Sequence, residues 1–246
     1  MRGLAKPVAA AKTLRVLAAL LGYPDAEVHV YLSEMREILR GECALSAARM
    51  AELDVLIGSL ERADPMENEA AYVELFDRGR GTSLHLFEHV HGDSRDRGPA
   101  MVDLAQTYEK AGLYLAPGEL PDYLPAVLEF VSTQPAREAA AFLDEMTHIF
   151  TALFSALQQR ESPYASVLAA LLELAGEQIQ TVTLSAEPPL DESWAEPVVF
   201  DGCSSKGQSR PGEPQPIHVI RKHAANLSLS PALNPAPKSA NPGVPA

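Results

Sequence analysis

Residues His85-Leu86-Phe87-Glu88-His89 read H-x-x-E-H, the arrangement in which two histidines clamp zinc while a glutamate activates bound water. Histidines at i and i+4 share a helix face, so the spacing suits that chemistry. Only three residues are fixed by the pattern, and a catalytic zinc needs a third protein ligand. Glu129 and Glu138 are the downstream candidates, and neither sits in a supporting motif. A zinc hydrolase using His85, Glu88 and His89 is therefore the alternative reading. Histidines that face solvent or a partner are the leading one.

Other reactive constellations are weaker. Asp77, Glu88, Asp93 and Asp96 could act as paired acids in hydrolysis, yet carboxylates beside turns are more often helix caps or solvated charges. Gly79-Arg80-Gly81 is too short to cradle a phosphate, and the sequence has no G-x-S-x-G elbow, Walker loop or G-x-G-x-x-G. Cys43 and Cys203, the two cysteines, form no C-x-x-C pair for zinc or an iron-sulfur cluster. No catalytic residue, metal or cofactor is assigned to the chain, and a reducing compartment is expected.

The elements that must position these residues are helices. Leu14, Leu17, Ala18 and Leu21 share one face; Val28, Tyr31, Leu32, Met35 and Leu39 share another after the turn at Gly22-Tyr23-Pro24-Asp25. Met50, Leu53, Ile57 and Leu60 make a third stripe, and a fourth helix is expected from Pro65 to Asp77. A short helix over 84–90 follows, capped by Thr82 or Ser83 and ended by Gly92. Asp93 or Ser94 caps a helix running through Tyr108 and closed by Gly112, and Asp122 caps the next, with Pro125 in its first turn. Two long helices are then expected, one carrying Phe142, Met146, Ile149, Phe150, Leu153 and Leu157. The other carries Tyr164 through Ile179 and Val182. The fold class is all-α, a single globular domain of about eight or nine helices over residues 1–185.

Residues 186–246 differ in kind. They hold 11 of the 20 prolines and little apolar periodicity, so a low-complexity, mostly disordered tail is expected, with Trp194, Val198, Val199 and Phe200 as its one apolar patch. The body carries 15 basic and 27 acidic side chains, a net of −12, against −1 for the tail. Such a surface repels phosphate backbones, so no nucleic-acid ligand is expected, and it suits either a basic partner or simply solubility. Lys12 and Arg15 interrupt the apolar N-terminal stretch, no signal-peptide cleavage site follows, and no run reaches the roughly 20 apolar residues that span a bilayer. A cytoplasmic chain without stable membrane insertion is expected.

The segment from 72 to 131 gathers charge, Gly and Pro between apolar runs. Its motifs YVELFDRGR, TSLHLFEHVHGDSRDRGPAMVDL and ELPDYLPAVLEF, flanked by LRVLAALLGYPD and LQQRESPYASVLAALLELA, resemble those of the NarJ-type nitrate reductase molybdenum cofactor assembly chaperones. These belong to the wider all-helical redox-enzyme maturation chaperones. The resemblance spans roughly residues 12–185, with a fainter echo at Asp191-Glu192-Ser193-Trp194 and Asp201-Gly202-Cys203. Two positions depart from it: His85 stands where an aliphatic residue is expected, and Tyr123 replaces the His of the related LPDH form.

The resemblance implies a non-enzymatic chaperone that binds the N-terminal segment of the apo nitrate reductase alpha subunit. It would hold that client while the iron-sulfur cluster and molybdenum cofactor are inserted, before membrane docking; the metal centres belong to the client. The alternative within the class is a chaperone for another twin-arginine-leader molybdoenzyme, and proteins delivering the molybdenum cofactor are further partners. Such a body would take an amphipathic client helix into a groove, with apolar anchors contributing about 1.5–3 kcal/mol each when fully buried. The candidate client-binding residues are Tyr72, Phe76 and Tyr123 as aromatic lining, Glu74, Asp77, Glu88 and Asp122 as acidic contacts, and His89 as a polar contact. Arg95, Asp96 and Arg97 organise the loop after His91 or meet the client.

Overall fold

Helix starts follow local capping chemistry. In the computed structural model, which describes residues 9–92 and 94–179, Asp25 accepts the backbone N–H groups of Glu27 and Val28, both at 2.9 Å, and opens α2 (Ala26–Glu42). Ser46 caps α3 (Ala47–Arg62), and Asp64 caps α4 (Pro65–Phe76), whose first-turn proline needs no N–H partner. Helix α1 (Ala11–Leu21) lacks a side-chain cap of its own. Glu42, at the end of α2, accepts the N–H groups of Lys12 and Thr13 and so ties the two helices together.

A 3-10 turn at Arg80–Thr82 leads to α5 (Leu86–Val90), followed by α6 (Arg97–Lys110) and α7 (Leu124–Thr133). The last three are α8 (Ala136–Glu145), α9 (Thr147–Gln159) and α10 (Ala165–Leu174). Nine of the described helices are seven residues or longer, and the sole extended pairing among the described residues is an antiparallel bridge between His85 and Tyr123. The all-α expectation holds.

The apolar stripes converge on one core. Helix α1 packs on α7 and α2, while α10 packs on α9, α3 and α8, burying Leu17, Leu53, Leu56, Ile57, Phe150 and Leu168. Burial of this kind, at roughly 25 cal/mol per Å² of apolar surface, is what holds helices too short to persist alone.

Five local expectations differ from the structure, and one is the Ser94 cap: α6 begins after Asp96 with no side-chain cap. The stripe from Phe142 to Leu157 is broken at Met146, where Thr147 turns its hydroxyl onto the Asp144 carbonyl at 2.8 Å and competes with the helical ladder. The last helix stops at Leu174 instead of continuing. Gly176 takes a left-handed conformation, and the Glu177 N–H closes back on Leu172 at 2.9 Å, though Ile179 still packs on the core. Neither Thr82 nor Ser83 caps α5, which begins after His85. Asp122 does not cap α7; Tyr123 occupies that position without a side-chain bond, and the Asp122 carboxylate turns elsewhere. No membrane-spanning helix occurs among the described residues. Asp93, Val182, the expected boundary near Ser185 and the patch at Trp194–Phe200 lie outside them.

Candidate functional site

Asp122 is the hub of the motif-bearing segment. Its side chain is fully buried and accepts the Phe87 N–H at 3.2 Å, while its own carbonyl accepts the Leu86 N–H at 3.0 Å. The first turn of α5 is thus capped from 35 residues away. The same carboxylate faces His85 Nδ1 at 3.2 Å and Arg97 at 3.8 Å, and Arg97 reaches Glu88 at 3.4 Å. His85 is held above the usual imidazole range, first by its hydrogen bond to Asp122 and then by the charges of Asp122 and Glu88, against the opposing effect of burial.

This geometry corrects the zinc reading. His85 lies before α5 in an extended conformation, so it and His89 are not an i, i+4 pair on one helix. His89 donates from Nε2 to the Ser83 carbonyl at 2.7 Å, and His85 is turned to Asp122. No group of three metal-ligating side chains occurs among the described residues.

A second cluster is aromatic. Tyr72 and Phe76, on the inner face of α4, are almost fully buried and pack with each other at 4.7 Å between ring centroids. Tyr23 and Tyr164 close around them at 5.2–6.2 Å. The Tyr72 hydroxyl donates to the Leu21 carbonyl at 2.7 Å, so the Tyr123 hydroxyl, 3.0 Å away, donates to Tyr72. Burial raises the phenol of Tyr72 well above its ordinary range and raises that of Tyr123.

The candidate residues therefore separate by position. Tyr72, Phe76 and Asp122 sit behind the surface, and Tyr123, Glu88 and His89 are partly exposed. Glu74 and Asp77 are exposed on α4 and at its end, with Glu74 bound to Arg78 at 2.7 Å. Arg95 and Asp96 are exposed in the loop before α6, where the Asp96 N–H donates to Ser94 Oγ at 3.2 Å.

Tyr123 also walls an open groove of about 470 Å³ between α7 and the loop after α6. Its other walls are Tyr108, Leu113, Tyr114, Leu115, Pro125 and Phe130, with Arg15, Glu119 and Glu129 at the polar positions. Tyr108 is fixed by donating its hydroxyl to Pro121 at 2.8 Å and by packing on Phe130 at 4.8 Å. Apart from Tyr123, sequence reasoning missed this lining. The one local signal was the apolar run Leu113-Tyr114-Leu115 placed in a loop. An apolar trough with acidic rim charges can seat an amphipathic helix.

Comparison with known proteins locates the same segment. The family described as nitrate reductase delta subunit matches residues 42–170. The nitrate reductase molybdenum cofactor assembly chaperone NarJ of Escherichia coli K12 is 44% identical over 180 residues, covering 73% of this chain and 76% of that one. A perchlorate reductase assembly chaperone protein of Dechloromonas aromatica is 29% identical over 150 residues, covering 58% of this chain and 67% of that protein. The crystal structure of a putative redox enzyme maturation protein from Archaeoglobus fulgidus superposes with a TM-score of 0.51 at 19% identity. It covers 72% of this chain and all of that one, a likeness of fold.

Proposed function

This chain belongs to the nitrate reductase delta subunit family and is a NarJ-type assembly chaperone, and from that premise we propose that its client is the apo nitrate reductase alpha subunit, held by its N-terminal segment. In this reading the chaperone acts in the cytoplasm, is not an enzyme, and keeps the client open while the iron-sulfur cluster and the molybdenum cofactor are inserted. Delivery proteins for the cofactor are transient partners, and membrane docking follows release.

The observation that carries the proposal is the 44% identity across 180 residues to a chaperone named for this assembly. The physical support is the groove beside Tyr123. Tyr123 contacts the client, while Tyr72, Phe76 and Asp122 hold the walls in place; Glu74, Asp77, Glu88 and His89 supply the polar surroundings. Two or three buried anchors of about 1.5–3 kcal/mol each supply much of the roughly 8 kcal/mol of a micromolar complex, and the polar contacts must offset the ordering costs.

The test is direct binding of the purified full chain to a peptide copying the alpha subunit's N-terminus. Binding that weakens when Tyr123 is replaced supports the reading; no binding to the peptide or to the whole apo-subunit sinks it. The likeness to a perchlorate reductase chaperone favours keeping a second reading, a chaperone for another twin-arginine-leader molybdoenzyme. Exchanging the peptides distinguishes the two.

A further inference from the structure

We infer that the groove between the 113–123 loop and α7 recognises one basic side chain of the client segment, an Arg or Lys seated between Glu119 and Glu129 while its apolar neighbours lie against Tyr114, Leu115 and Phe130. The inference rests on the client reading above and specifies the chemistry of what docks there.

The groove is exposed where a soluble surface would ordinarily be polar. Tyr114 keeps 80% of its surface open, more than any other exposed large apolar side chain among the described residues, and Leu120 beside the groove keeps 44%. Two carboxylates stand on the rim. Glu119 is fixed in place by accepting the Ala116 N–H at 2.9 Å, so little side-chain entropy remains to be lost when a cation arrives. Partial enclosure and the charge of Glu119 both raise the Glu129 carboxyl, meaning that its anion is disfavoured as the groove stands. Arg15, the basic residue in the lining, opposes that rise, yet its Nε is committed to Ser132 Oγ at 3.1 Å. A cation between the two glutamates would relieve the repulsion, and a client aliphatic or aromatic side chain would cover Tyr114.

The groove of similar size between α3, α4 and the α9–α10 connection carries the same balance of charge, Glu74 and Glu161 against Arg160, but there Glu74 already pairs with Arg78 at 2.7 Å.

The experiment titrates the full chain, by anisotropy or calorimetry, with the client N-terminal peptide and with copies in which each Arg or Lys in turn is replaced by Gln. One replacement is expected to weaken binding about fivefold, the size of a partly enclosed rim pair. The double variant Glu119→Gln with Glu129→Gln should weaken the unaltered peptide by a similar factor and leave the affinity of that Gln peptide unchanged. Neither glutamate is buried in the core, and an unchanged unfolding midpoint confirms that the variant is folded. Tyr114→Ala should weaken both peptides alike. The inference is overturned if the unaltered peptide binds the double variant as tightly as the wild type, or if all basic positions contribute equally, since the carboxylates would then only steer. Failure of the unaltered peptide to bind wild-type protein overturns the client reading as well.

Discussion

Nδ1 of His85 lies 3.2 Å from Oδ1 of Asp122, joining an imidazole with 31% of its side chain exposed to a carboxylate with none. Because the folded state raises the His85 pKa, its contribution to stability is fully present below the ordinary imidazole value of about 6.5 and is lost as pH rises through the higher folded value. The unfolding free energy of wild type should therefore exceed that of His85→Gln by more at about pH 5.5 than at about pH 9. Urea unfolding at the two values checks this, and a difference independent of pH would refute it.

Asp122→Asn tests the hub itself. The amide can still accept the Phe87 N–H, but it leaves His85 and Arg97 without their buried counter-charge. A loss of about 2–4 kcal/mol is expected, somewhat below the roughly 3–5 kcal/mol for a fully buried pair because both partners are partly exposed. Hydrogen exchange should show α5 opening first, since its initial turn depends on this one residue.

Tyr72→Phe should cost about 1–2 kcal/mol, because the Leu21 carbonyl and the Tyr123 hydroxyl both lose a partner in a buried setting. Tyr123→Phe removes only the second bond and should cost less. Combining them should give less than the sum, and a double-mutant cycle measures the shortfall. Strict additivity would mean that the hydroxyls do not interact.

Much of the scaffold was legible because its signals are local. The turn ending at Asp25 and the proline at Pro65 each mark the start of a helix, and Gly112 closes α6 as its position suggests. The site was harder to read because its bonds are not local. Asp122 has the sequence position of a cap for α7, and only its approach to α5 makes it a hub. Tyr72 carries a residue type suited to recognition, yet the closure of Tyr23, Phe76 and Tyr164 around it places it inside. The groove needs Arg15 from α1 and Glu119 from a loop on either side of α7, a juxtaposition that periodicity does not encode.

Gly79→Ala should be destabilising by about 1 kcal/mol. An added Cβ would sit 2.6 Å from the Arg160 guanidinium and 3.0 Å from Thr82 Oγ1. The long arginine can swing away, but Thr82 is buried and bonded to the Leu75 carbonyl. Arg160→Ala in the same chain should recover part of the loss, as read from thermal midpoints. Full recovery would place all the strain on Arg160.

Arg95 and Arg97 separate structure from client contact. Arg97 bridges Glu88 and the buried Asp122, so Arg97→Ala should destabilise the chain by about 1–3 kcal/mol and weaken client binding in proportion to the fraction unfolded. Arg95 is exposed in the loop before α6, and Arg95→Ala should stay within about 0.5 kcal/mol of wild type. Peptide affinity then decides its role. A fall of severalfold in Arg95→Ala with the unfolding midpoint unchanged places Arg95 at the client surface, whereas an unchanged affinity removes it from that surface and leaves Arg97 with the structural role alone.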